Sequence, residues 1–401
     1  MTKTIDLIYF NAGGGHRAAA QALAAVIAQQ QWPWQVRCVN LMEVLDPQAS
    51  FRRLTGMAPE DLYNKRLAKG WTLGLAQELK LLQGLIRMGH NALAQRLQAH
   101  WRRTRPDMVV SLIPNFNRAL CCGLGQALPG VPFVTVLTDM ADHPPNFWIE
   151  PDLPQHLVCG SARAEQQALA AGCAPARIHR TSGMVLRPDF YAPLVLDRHA
   201  ERARLGLHPD RPTGVVMFGG QGSMAMLTIA RQLPDVQLLL MCGHHSGLAD
   251  KLRALQPSAA HAVVGFTSQV RQHLALGDFF IGKPGPGSLS EAVQQGLPVV
   301  TLRNAWTMPQ ERYNTDWVQA TGVGRVGKSV RNIRPVVLDV MAHLAEFQAR
   351  VRLVDNRAVF ELPAILEGIL ARQDGQAVQT ALRPPAPAAP ADATQTTSLV
   401  G

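Results

Sequence analysis

The chain has 401 residues, long for one domain and comfortable for two, and with 47% hydrophobic against 17% charged residues it can bury a sizeable core. Its formal net charge of +10 points to an anionic partner, whether nucleic acid, anionic membrane or phosphate-bearing substrate. Six scattered cysteines (Cys38, Cys121, Cys122, Cys159, Cys173 and Cys242) form no C-x-x-C pair, which argues against a zinc site or disulfide framework and fits a reducing compartment. The opening MTKTIDLIYF lacks the apolar run and cleavage site of a signal peptide, and no stretch approaches the roughly 18 apolar residues of a membrane span. The expected location is cytoplasmic, with peripheral attachment to the inner face of the cell membrane.

Short apolar runs alternate with helical patterns along the chain. Residues 5–10, 108–113, 133–137 and 156–159 read as strands of a first parallel sheet. After 183–188 the alternation restarts, and 214–218, 236–242, 262–264, 278–281 and 298–302 read as a second set. Such alternation specifies a doubly wound α/β sheet, and two runs of it specify two Rossmann-like domains facing a cleft. The expected division is 1–190 and 191–345, with the charged stretch 197–207 as a helix or linker near the boundary. A terminal helix over 346–373 is placed to cross back to the first domain. Residues 374–401 turn to Ala, Pro, Thr and Gln and are expected to be a disordered tail without chemistry.

Five segments could carry chemistry. Asn11-Ala12-Gly13-Gly14-Gly15-His16 follows the first strand and precedes a helical stretch. Glycines at such a turn admit a ligand to the backbone and to a helix N-terminus, and His16 could serve as a base. The plainer reading is a tight turn with a packed His. Leu137-Thr138-Asp139-Met140-Ala141-Asp142-His143-Pro144 ends a strand of the same sheet. Asp139 and His143 are candidates there for an acid/base or orienting pair, against ordinary turn chemistry before Pro144-Pro145.

In the second half, Phe218-Gly219-Gly220-Gln221-Gly222-Ser223 is the matching Gly-rich turn, able to cradle a diphosphate or simply to turn. Lys283-Pro284-Gly285-Pro286-Gly287-Ser288 then leads into a helix expected to start near Ser288. Glu291 sits one turn in, either to hold ribose hydroxyls or to form a capping box with Ser288. Gln310, Glu311 and Asn314 share a helical face that could bind sugar hydroxyls or merely be solvated. The run 322–329 fits the Walker A spacing, but it follows a helical pattern rather than a buried strand, which argues against nucleoside triphosphate binding there.

Residues 50–105 carry eleven Lys/Arg against three Asp/Glu, interleaved with Trp71, Leu73, Leu75, Leu81, Leu82, Leu85, Ile86, Met88 and Trp101. A basic amphipathic segment of this kind suits an anionic membrane surface. A solvated helix is the alternative, and no nucleic-acid motif supports a third reading.

Taken together and in this order, the motifs over about 5–330 resemble glycosyltransferase family 28, especially its monogalactosyldiacylglycerol synthase and bacterial diacylglycerol glucosyltransferase branch. Gly13-Gly14-Gly15-His16-Arg17-Ala18, Thr138-Asp139 with His143-Pro144, and Val185-Leu186-Arg187-Pro188 look like the family's first-half motifs. Lys283 to Ser288 with Glu291-Ala292, and Gln310-Glu311 with Asn314, look like its second-half motifs. The loop after Asp139 reads HPPNFW where the family has HPTW, a departure at the acceptor edge.

The resemblance implies a B-type glycosyltransferase fold in which residues 1–190 face acceptor and membrane and residues 191–345 bind a UDP-sugar. It implies that the backbone at Gly265 and Phe266 holds uracil, that Arg187 approaches the nucleotide, and that Gly220, Gly222 and Ser223 border the diphosphate. Lys283, Gly285, Gly287, Ser288 and Glu291 would form the nucleotide loop, and Gln310, Glu311 and Asn314 would line the hexose. Gly14 and Gly15 would form the acceptor-side loop, and His16 would be the base, with Asp139 as orienter or alternative base. No metal and no cofactor are expected. The partners implied are a UDP-hexose, a lipid acceptor and an anionic membrane surface, without nucleic acid; oligomeric state is left open. A lipid-linked N-acetylglucosaminyltransferase, a UDP-sugar epimerase and a silent UDP-sugar sensor are the competing readings.

Overall fold

The computed structural model describes residues 2–11, 14–46, 53, 75–143 and 146–381, the segments 75–80 and 375–381 as helical backbone only. Ala12, Gly13, Pro144 and Pro145, residues 47–52 and 54–74 of the chain including Trp71 and Leu73 of the basic stretch, and the tail beyond 381 lie outside the described residues. Two six-stranded parallel sheets organise the rest. The first runs β2-β1-β3-β4-β5-β6, with β1 Lys3–Tyr9, β2 Trp34–Asn40, β3 Met108–Ser111, β4 Phe133–Val136, β5 Gln155–Cys159 and β6 Ile178–Arg180. The second runs β12-β11-β10-β7-β8-β9, with β7 Thr213–Met217, β8 Gln237–Met241, β9 His261–Val264, β10 Phe279–Gly282, β11 Val299–Leu302 and β12 Gly324–Gly327. The pairings are parallel, with Ile5 opposite Val36 and Met108, and Val215 opposite Leu239 and Phe280.

The central strands β3, β4, β7, β8, β10 and β11 are buried at every position, because helices cover both faces of each sheet. Alternate residues feed different cores: Phe279 and Ile281 enter one, and Phe280 enters the other. Helix Arg198–Arg204, capped by Asp197, is fastened to the second sheet by Arg202, whose guanidinium meets the Asp278 carboxylate at 2.6 Å. Asp278 also accepts the Thr213 N–H at 2.7 Å, so one carboxylate ties that helix to the entries of β7 and β10.

Residues 324–327 of the Walker-like run form edge strand β12, directly after helix Arg312–Thr321. A Cβ on Gly324 would fall 1.8 Å from the Val299 carbonyl oxygen, so that glycine serves strand approach rather than phosphate. Helix Ala358–Ala381 returns to the first sheet, where Leu362, Leu366, Ile369 and Leu370 share a core with Ile5, Leu7 and Val110. The two chain crossings are stitched together: Asn356 Nδ2 donates to the Met184 carbonyl at 3.0 Å, and the Arg357 N–H donates to Ser182 Oγ at 2.7 Å.

Strand order reverses between β1 and β3 in the first sheet and between β7 and β10 in the second. Loops leaving the C-terminal ends of adjacent strands diverge at such points and open a crevice. The Gly-rich turns after β1, β7 and β10 all stand there.

Candidate active site

On the first-sheet side, Gly14 adopts a left-handed φ of 79° and caps helix Gly15–Gln29, which has no side-chain cap. A Cβ on Gly14 or Gly15 would meet nothing within 4 Å, so the helix start faces open space. His16 Nδ1 lies 3.1 Å from Thr138 Oγ1 at the end of β4, and its ring centroid lies 6.0 Å from that of Trp148. Burial pushes the imidazole down to about 4, opposed by a hydrogen bond with the Leu112 backbone, so it is neutral at pH 7 and able to receive a proton.

Asp139 is buried and accepts the Trp148 indole N–H at 2.9 Å through Oδ2. Burial pushes its carboxyl up to about 7, while the Trp148 bond works the other way. Smaller influences come from Glu311, which raises it, and Lys283, which lowers it; both belong to the second half of the chain, so the two halves face one another here. The expected His16–Asp139 pair does not form. Thr138 and Leu112 set the imidazole, and Trp148 sets the carboxylate. Asp142 is likewise pushed up to about 6 by burial, and it accepts the Trp148 backbone N–H at 2.7 Å. His143 places its ring edge-on to Phe147 at 6.2 Å.

On the second-sheet side, Gly219 and Gly222 take φ values of 71° and 66°. A Cβ on Gly222 would stand 2.3 Å from the Cys242 carbonyl oxygen, whereas Gly220 faces open space. Ser223 Oγ accepts the Ala225 N–H at 3.2 Å, which leaves its hydroxyl proton for a ligand. Gly265 also borders open space, and the next ring, Phe266, is 61% exposed and stacked on His244 with centroids 3.9 Å apart.

Helix Pro286–Gln294 starts two residues earlier than expected, with Gly285 as its cap and no side-chain cap bond. The capping box of Ser288 with Glu291 is therefore absent, and Glu291 is left for another use. Burial pushes Glu291 up to about 7, with Arg187 opposing and Asp189 adding to the shift. Arg187 Nε lies 3.6 Å from Asp189 Oδ1. The Gly287 and Ser288 N–H groups belong to the first helical turn, where donors lack intrahelical partners.

Lys283 Nζ meets Glu311 Oε1 at 2.8 Å, and Asn314 Nδ2 donates to the Pro284 carbonyl at 2.7 Å. Glu311 is 4% and Asn314 0% exposed, so the solvated-face reading fails. Instead these two brace the Lys283 loop. Gln310, in the 3-10 turn Pro309–Glu311, is only partly buried, with Nε2 3.7 Å from Met308 Sδ.

Sequence reasoning missed Trp148 and His244. A buried indole N–H nearly always finds a partner, and a Trp nine residues after Asp139 in a strand-end loop was the available signal. His244 carries no such signal.

Two parallel sheets meeting at their switch-point loops, with a C-terminal helix returning to the first sheet, define the two-domain fold of B-type glycosyltransferases. No family model matches the chain, yet over most of its length its sequence is similar to those of the monogalactosyldiacylglycerol synthases. Monogalactosyldiacylglycerol synthase 1 of Arabidopsis thaliana is 25% identical over 397 residues, covering 90% of this chain and 70% of the plant protein. Among solved structures, MurG of Acinetobacter baumannii matches 91% of this chain and 99% of its own with a TM-score of 0.56 at 12% identity. The UDP-GlcNAc 2-epimerase of Neisseria meningitidis matches 92% and 100% with a TM-score of 0.56 at 14% identity. Both structural likenesses are likenesses of fold.

Proposed function

We propose that the chain transfers a hexose from a UDP-sugar to the hydroxyl of diacylglycerol, with inversion, at the inner face of the cell membrane. The observation that carries this reading is the opposition across one cleft of His16 and Asp139 with the Lys283–Glu311 pair, whose charges reach Asp139. The relationship to the galactolipid synthases supports the lipid acceptor. No helix among the described residues is long and apolar enough to cross a membrane, so attachment would be peripheral.

In the proposed step, His16 takes the proton of the acceptor hydroxyl as its oxygen attacks the anomeric carbon. The C–O bond to the diphosphate breaks on the opposite face, and UDP departs with the electron pair. Gly220, Gly222, Ser223, Lys283 and the free N–H groups at Gly287 and Ser288 receive the developing charge, which is the work a metal would otherwise do. Glu291 and Arg187 take the ribose side, the backbone at Gly265 and Phe266 takes the base, and Gln310 takes the hexose.

The test is incubation with UDP-galactose, UDP-glucose or UDP-N-acetylglucosamine and diacylglycerol liposomes, reading UDP and glycolipid by mass spectrometry, with and without EDTA. A glycolipid formed equally in EDTA is expected. UDP release indifferent to lipid sinks the reading, and interconversion of UDP-sugars without acceptor replaces it by an epimerase. His16→Ala should lower turnover by about 10²–10⁴-fold with donor affinity kept, as for loss of a general base.

A further inference from the structure

Helix Leu75–Met88 reverses the usual arrangement of a surface helix, which hides its apolar side and shows its polar one. Leu81, Leu82, Leu85 and Met88 are 66, 45, 56 and 85% exposed. Gln83, Ile86 and Arg87 line a small cavity on the other side with Asn115, Asn146 and Glu150, and of these three helix residues only Gln83 is buried.

The inward contacts lead to the reacting side of the cleft. Gln83 is 8% exposed and donates from Nε2 to Asn115 Oδ1 at 3.1 Å. Asn115 holds a left-handed φ of 67°, a conformation asparagine tolerates better than most residues. Its backbone N–H donates to the Phe147 carbonyl at 2.6 Å, and Asn117 Nδ2 donates to the Trp148 carbonyl at 3.0 Å. Trp148 in turn holds Asp139 through its indole N–H. A few hydrogen bonds therefore join the outward-apolar helix to the acid/base pocket.

We propose that Gln83 and Asn115 are positioning residues that tie this helix to Phe147 and Trp148, so that seating the helix on a lipid surface sets the acceptor side of the cleft. This rests on the lipid-transfer function proposed above. Neither residue touches the reacting groups; both act through the carbonyl of Phe147 and the indole of Trp148.

The test uses the full chain and phosphatidylcholine–phosphatidylglycerol vesicles carrying diacylglycerol. Vesicle co-sedimentation, kcat, and KM for the UDP-hexose are measured for the parent, Gln83→Met, Asn115→Gly and Asn115→Asp. Loss of one positioning hydrogen bond should lower kcat about fivefold to tenfold. Gln83→Met and Asn115→Gly should show that fall with donor KM and vesicle binding unchanged. Asn115→Asp keeps the acceptor for Gln83 and should restore kcat. Unchanged kcat in both disrupting variants overturns the inference. So does loss of vesicle binding or of thermal unfolding cooperativity in step with kcat, and so does failure of Asn115→Asp to rescue. A parent that transfers no hexose to lipid overturns the proposed function itself, a result read before any variant is compared.

Discussion

His16 and Asp139 both neighbour Trp148, but burial moves them in opposite directions, the imidazole down to about 4 and the carboxyl up to about 7. They leave different marks on a pH–rate curve. With His16 as base, kcat/KM should hold as pH falls through 7 and decline only toward about 4; a decline centred near 7 would transfer the role to Asp139. Trp148→Phe removes the bond that opposes the Asp139 shift, so any Asp139-dependent limb should move to higher pH in that variant. The same burial has a cost for folding. A carboxyl whose folded pKa is raised favours the folded state below its ordinary pKa, and that contribution is lost as pH rises through about 7. Asp139→Asn should therefore raise the melting temperature more at pH 8 than at pH 5, while lowering turnover. At this scale the sequence revealed that glycines, His16, Asp139, Lys283 and Glu291 sit at or just beyond strand ends. It did not reveal who holds whom. The Thr138 and Trp148 partnerships are set by side-chain directions across separate loops, which no local pattern records.

Strands buried on both faces announce themselves as continuous apolar runs, and β1, β3, β4, β5, β7, β8, β10 and β11 were legible for that reason. The unread strands, β2 (WQVRCVN), β6 (IHR) and β12 (GRVG), are all sheet edges with partly exposed residues, whereas the fourth edge, β9, was legible over residues 262–264. An edge strand needs few apolar side chains, and three or four residues are too short to show a period. The glycine turns divide by the same kind of physical test. Gly222 combines a positive φ with a backbone carbonyl where a Cβ would go, so Gly222→Ala should destabilise the fold by about 1–3 kcal/mol, read by chemical denaturation. Gly287 faces open space at a helix start. Gly287→Ala should leave stability within about 0.5 kcal/mol and raise donor KM instead, since the added methyl enters the crevice. Equal losses of stability in the two variants would contradict this division.

The chain passes between its two halves twice, and the two crossings are bonded to each other. Ser182, Met184, Asn356 and Arg357 join the outgoing and returning segments with short hydrogen bonds. The helix beyond them contributes Leu362, Leu366, Ile369 and Leu370 to the first core. Four buried aliphatic side chains at roughly 1.5–3 kcal/mol each amount to about the whole stability of a typical domain. A chain cut at residue 357 should therefore yield an insoluble or molten first half, as judged by exclusion chromatography and near-ultraviolet circular dichroism.

That returning helix also imposes an order of events in time. Lys3–Tyr9, which leaves the ribosome before the other strands described, belongs to a core whose last wall is Ala358–Ala381. The second sheet, by contrast, is complete once residue 327 and the following helices have emerged. The half made first is thus the half finished last. During the some tens of seconds of synthesis at about 5–20 residues per second, its unclosed apolar face is the part of the nascent chain most in need of a chaperone.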